Sequence, residues 1–153
     1  MSLAFTKGMI HVVFGISFLL TVIVAGRAYG QAEPIHIITN PSILSVQFSD
    51  QQLRRIFSMR QSSWPDGQRI QVFVLPSHSP IHLSFCKQAL RMFPYQIERM
   101  WNKFAYSGLG VKPLVVADQQ EMLEKVAQTS GSIGYVGQVS IPHGIKLIKV
   151  LKE

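Results

Sequence analysis

The sequence predicts an α/β fold: a single three-layer domain with a mainly parallel sheet between helices. Three observations carry this expectation. Short β-branched runs alternate with amphipathic runs of helical period. Helix-start signals stand at Ser49 and Asp118, with Gln52 and Glu121 three residues on. Clusters of Pro, Gly, Asn and Asp separate the runs and supply turn chemistry. Strands alternating with helices favour parallel pairing, because parallel neighbours need a crossover between them.

The elements follow in order. Residues 34–40, "PIHIITN", read as a strand closed by Asn40-Pro41. "FSDQQLRRIFSM" reads as a helix started by Ser49, with Leu53, Ile56 and Phe57 on one face. Pro65-Asp66-Gly67 marks a turn, and 69–75, "RIQVFVL", a second strand. "SPIHLSFCKQALRMF" reads as one helix from Ser79, with Ile81, Phe85 and Leu90 on its apolar side. Phe93-Pro94 breaks it, and "PYQIERMWNKFAY" forms the next helix with Pro94 in its first turn. Phe85, Phe93, Trp101, Phe104 and Tyr106 read as core aromatics. After the loop "SGLGVKP", "LVVA" is a short strand, and Asp118 starts the helix "QQEMLEKVAQT". "SGSIGYVG" is a strand between glycines. "IPHG" turns the chain, and "IKLIKVLK" is a last strand whose mix of apolar and basic residues suits an open sheet edge, with lysines discouraging further pairing.

Residues 1–32 read differently from the rest. Lys7 precedes an uncharged apolar run, residues 8–26, followed by Arg27 and small residues at Ala28-x-Gly30 or Gly30-x-Ala32. That pattern describes a secretory signal peptide. The alternative is an N-terminal membrane anchor, since about 20 apolar residues cross a bilayer. Residues 33–153 read as a single α/β domain. Cys86 is the sole cysteine, so no internal disulfide staples the fold. The net charge is +7, and +5 once Lys7 and Arg27 are set aside. The basic residues are scattered, without a Lys/Arg block or a basic-aromatic repeat, which argues against nucleic acid as a partner.

The turn "PSHSPIH", residues 76–82, follows a strand and opens a helix. Helix starts carry orphan N–H groups and attract oxyanions. Ser77 and Ser79 would add hydroxyls, Ile81 and His82 backbone donors, and His78 or His82 a charged donor when protonated. The simpler reading is that Ser79 caps the helix and Pro80 fills its first turn. His82 and Cys86 share a helix face at i, i+4, but lack the further ligands that a metal needs. Neither a nucleophile-elbow pattern nor a nearby orienting acid accompanies Ser77-His78-Ser79. The expectation is a binding domain with no catalytic residues, metal or cofactor.

"LRRIF", "PDG", "SP" with "LSF", "WNKFAYSGLG" and "GSIGYVG", in that order, resemble the phosphate-type periplasmic solute-binding proteins of ABC transporters. The resemblance runs from about Pro34 to Lys149. It implies one lobe of the type II periplasmic-binding-protein kind, with Ser79 kept from the family's helix-start ligands. With the donors of the turn, the candidate ligand set is Ser77, His78, Ser79, Ile81 and His82. It also implies a small oxyanion such as phosphate as ligand, with a membrane transporter or envelope protein as partner. The implied location is the periplasm. This chain departs from the family pattern: Leu75 stands where an Arg is usual, Pro80 and Ile81 where Gly and Thr are, and Met59 where a Gly is. Weak oxyanion binding follows. The alternative is an envelope accessory or protein-interaction domain that kept the fold and lost the ligand.

If residues 1–32 are a cleaved leader, N-terminal sequencing of the envelope protein should read from near Gln31 or Glu33. Protein retaining residues 8–26 in the membrane would establish anchoring instead.

Overall fold

The computed structural model describes residues 34–44, 47–108 and 110–151. The leader expectation falls on residues 1–32, outside the described residues. The elements run β1 (His36–Thr39), β2 (Gln47–Ser49), α1 (Asp50–Phe57), β3 (Gln71–Val74) and α2 (Pro80–Phe85), the last continuing as a π turn (Cys86–Leu90). Then come α3 (Pro94–Tyr106), β4 (Leu114–Val115), α4 (Gln119–Gln128), β5 (Ser132–Val136) and β6 (Lys146–Leu151).

Among the described residues six strands form one sheet, in the order β2-β6-β1-β5-β3-β4. The ladders β2–β6, β5–β3 and β3–β4 are parallel, while β1 runs antiparallel to both its neighbours, β5 and β6. Side chains alternate across a strand, so β5 assigns the two helix layers. Ser132 and Gly134 face α4: the Ser132 hydroxyl donates to the Val126 carbonyl at 3.0 Å, and a Cβ on Gly134 would run into Met122 and Val126. Tyr135 faces the opposite way, stacked on Phe85 with ring centroids 3.7 Å apart. The α/β sandwich therefore has three layers, with α4 on one face and the α1–α2–α3 group on the other.

Local signals account for most boundaries. The Ser49 hydroxyl accepts from the Gln52 N–H at 3.2 Å, and an Asp118 carboxylate oxygen from the Glu121 N–H at 2.9 Å. The Glu121 carboxylate reaches back to the Ala117 N–H at 2.6 Å. Helix α1 ends in a Schellman motif: the Arg60 N–H donates to the Arg55 carbonyl and the Met59 N–H to the Ile56 carbonyl. Met59 occupies the left-handed position there, φ 64°, which favours glycine. Its side chain packs against the core.

Four expectations are corrected. The last strand is not an edge: β6 lies between β2 and β1. Lys146 guards nothing, because its ammonium donates to the Ile43 carbonyl at 2.8 Å and the Leu44 carbonyl at 3.1 Å. The true edges, β2 and β4, are blunted by shortness instead. The run 79–93 is not one regular helix: it widens into the π turn and stops at Arg91, φ 53°. Arg91 pairs with the buried Asp50 carboxylate at 3.0 Å, tying this end to the start of α1. Phe93 and Tyr106 are exposed rather than core. Ser79 stands before α2, but its side chain makes no capping hydrogen bond.

Trp101 is 8% exposed and Tyr106 88%. The Trp101 indole N–H donates to the Phe57 carbonyl at 2.6 Å, joining α3 to α1. Trp101→Ala should cost about 3–5 kcal/mol, and Tyr106→Ala less than about 0.5 kcal/mol, as read by chemical denaturation. Equal losses would show that α3 packs on a different face.

Candidate functional site

Beyond the carboxyl ends of β3 and β4 the chain leaves a hollow of about 370 Å³. Open α/β sheets bind ligands at this end of their strands. The turn 75–78 forms one wall, His82 stands behind it, and Glu98, Trp101 and Asn102 of α3 form another. Lys112 and Pro113, just before β4, close the side. The structure thus brings Ser77, His78 and His82 to one hollow. Ser79 and Ile81 are not among the lining residues, and the Ile81 side chain belongs to the core.

The turn is held from beneath by a buried chain of hydrogen bonds. The Leu75 N–H donates to the Tyr135 hydroxyl oxygen at 3.0 Å. The Tyr135 hydroxyl lies 2.6 Å from His82 Nδ1, and His82 Nε2 lies 3.4 Å from Cys86 Sγ. One proton arrangement satisfies every partner: Tyr135 donates to Nδ1, and Nε2–H donates to the sulfur. The imidazole is then neutral. Burial lowers the His82 pKa, with Glu98 opposing as a smaller effect. Burial, with a lesser push from Glu98, drives the Cys86 thiol up to about 12. It also raises the Tyr135 phenol, more than the Leu75 hydrogen bond lowers it. These groups are a structural linkage, with neither a thiolate nor an imidazolium to offer a ligand.

The donors that remain at the hollow are the Ser77 hydroxyl, the His78 imidazole, the Asn102 amide and the Lys112 ammonium, with the Glu98 carboxylate as acceptor. Sequence reasoning missed Glu98, Asn102 and Lys112. The first two stand at i, i+4 on α3 with Trp101 between them, a polar pair beside a buried ring that shares one helix face. Lys112 comes from an irregular segment and carries no such signal. Among the described residues, no group of three or more His, Cys, Asp or Glu side chains could hold a metal ion.

His82 makes stability depend on pH. Its folded pKa lies below the ordinary imidazole value of about 6.5. Below that value the unfolded chain takes up a proton that the native chain resists, so stability falls as pH drops through about 6.5. Thermal melts at pH 7.5 and pH 5 should show this loss, and His82→Gln should reduce it. An unchanged loss in that variant would move its origin away from His82.

No protein-family model and no curated protein matches the chain. Solved structures do. An ABC-type phosphate transport receptor from Vibrio cholerae superposes with a TM-score of 0.61 at 16% identity, covering 77% of this chain and 46% of the receptor. PstS from Borrelia burgdorferi gives 0.57 at 22% identity, with 77% and 47% covered. A phosphate binding protein from Stenotrophomonas maltophilia gives 0.54 at 18%, with 77% and 39% covered. The chain spans less than half the length of these proteins. It is similar to phosphate ABC transporter substrate-binding proteins in fold, and carries that fold over most of its own length.

Proposed function

We propose that this chain is an exported solute-binding domain that holds a small oxyanion, phosphate first among them, in the hollow beyond β3. It does so as part of an ABC-type uptake system in the periplasm, and residues 1–32 are the leader that takes it there. The observation that carries the reading is the hollow itself. It lies where this fold class receives ligands, in a chain whose solved neighbours are phosphate receptors. The task is binding and release, with no bond made or broken.

The lining suits phosphate better than sulfate. Ser77, His78, Asn102 and Lys112 supply donors, and Lys112 the positive charge. Glu98 can only accept when ionised. It therefore favours an oxyanion that still carries a proton, and repels one that does not. Leu75, buried under the turn, contributes no guanidinium, so the bidentate grip that strengthens oxyanion binding is missing.

Calorimetric titration should give phosphate a dissociation constant in the high micromolar range or weaker, about −5 kcal/mol, with sulfate weaker still. Lys112→Gln should weaken phosphate binding, and Glu98→Gln should narrow the gap between the two anions. Ser79→Ala should change stability by less than about 0.5 kcal/mol, since its hydroxyl caps nothing. A wild-type protein that binds neither anion would end the oxyanion reading.

A further inference from the structure

A second cavity opens at the other end of the same strands. It measures about 730 Å³, within the range of roughly 300–1,000 Å³ typical of small-molecule sites. Its walls come from the end of α1, the segments 62–63 and 69–72, Phe104 of α3, and residues 110–114. Three cations converge on it, Arg60, Arg69 and Lys112, and no Asp or Glu lines it. Among the described residues the one ion pair is Arg91–Asp50, so none of the three forms an ion pair with a described carboxylate, although Lys112 also borders the hollow that Glu98 lines. Apolar groups share the lining, with half-buried Phe104 and, from the segment that carries Lys112, Val111 and Leu114.

The walls are preformed. The backbone of Arg60 is fixed by the Schellman motif, in which Met59 keeps a left-handed conformation and itself lines the cavity. Arg69 sits opposite Ser63 in an antiparallel bridge. That turn is closed by hydrogen bonds from the Ile70 N–H to the Ser62 carbonyl and from the Trp64 N–H to the Gln68 carbonyl. The buried Trp64 donates its indole N–H to the Gly131 carbonyl at 2.9 Å, fixing the turn to the start of β5. Holding three like charges around one space is unfavourable until an anion enters. The fold fixes the backbone beneath these side chains, so the ordering left to binding is that of the exposed cations themselves.

We propose that this cavity binds a small organic anion carrying two or more negative groups and an aromatic or apolar portion. The anionic groups meet Arg60, Arg69 and Lys112, and the ring or chain lies on Phe104. An extended peptide strand fits less well. The free edge of β4 has two residues, and Pro113 before it has no N–H to offer.

ADP is a suitable probe, titrated calorimetrically into the purified full chain at low salt. Inorganic pyrophosphate supplies the charge without the ring, and adenosine the ring without the charge. ADP should bind at least about tenfold more tightly than either, and more weakly as salt is added. Arg60→Gln and Arg69→Gln should each raise its dissociation constant about tenfold, the loss of one charge-assisted contact. Both arginines are exposed, so both variants should melt like the wild type, and either alone carries the test. Neither lines the hollow beyond β3, so phosphate binding there should persist in both, which separates the two sites. No saturable ADP binding at about 1 mM, an affinity of about −4.1 kcal/mol, would overturn the proposal. So would ADP binding that ignores both substitutions, or equal affinity for ADP and pyrophosphate.

Discussion

The buried hydroxyl of Tyr135 holds together the elements that meet at the hollow. It accepts the Leu75 N–H where β3 ends and donates to His82 in α2, while its ring stacks on Phe85. One side chain from β5 thus fixes the exit of β3, the entry of α2 and the face on which the helix group packs. An unpaired hydroxyl at that depth would cost about 1–3 kcal/mol, and the neutral imidazole removes that cost. The same pairing commits His82 to structure, which leaves exposed Lys112 and half-buried Glu98 as charged groups at the hollow.

The opposite face obeys a different constraint. Gly134 leaves room for Met122 and Val126, so α4 can lie close to β5. Asn40, after β1, donates to the carbonyls of Val126 and Ala127 at 3.0 and 2.8 Å. It also accepts the Ser42 N–H at 3.0 Å. The end of α4 is therefore capped by a side chain from the sheet, and not only by its own residues. With both helix layers pinned to β5, the ends of β3 and β4 are left as the openings of the fold.

The sequence was legible where the signal is local. Ser49 and Asp118 mark their helices because the capping partner lies three residues away. The basic residues of the last strand do not mark an edge. Lys146 and Lys149 are three apart and fall on opposite faces. The exposed face is Leu147, Lys149 and Leu151, a pattern that an interior strand with a solvent face also shows. Strand β2 is hidden because Gln47–Ser49 runs straight into α1, so its three residues read as helix approach. The π turn rests on how Arg91 meets Asp50, two residues 41 positions apart in the chain. The hollow has the same origin: the turn 75–78 announces itself, whereas Glu98 and Lys112 become partners of that turn only through the packing of α3 and the path into β4.

Lys112 and Pro113 border both openings, and this shared wall bears on how each can discriminate. The cations are exposed, so each acts through a high effective dielectric and contributes little raw Coulomb energy. Selectivity must then come from what surrounds the charge. On the proposed reading, Glu98 at the hollow would test whether an oxyanion has a proton to give. At the larger cavity, Phe104 would test whether a polyanion has a ring or chain to bury. A single lysine would thus serve two surfaces without merging them, because its neighbours on each side would require a different second property of the ligand.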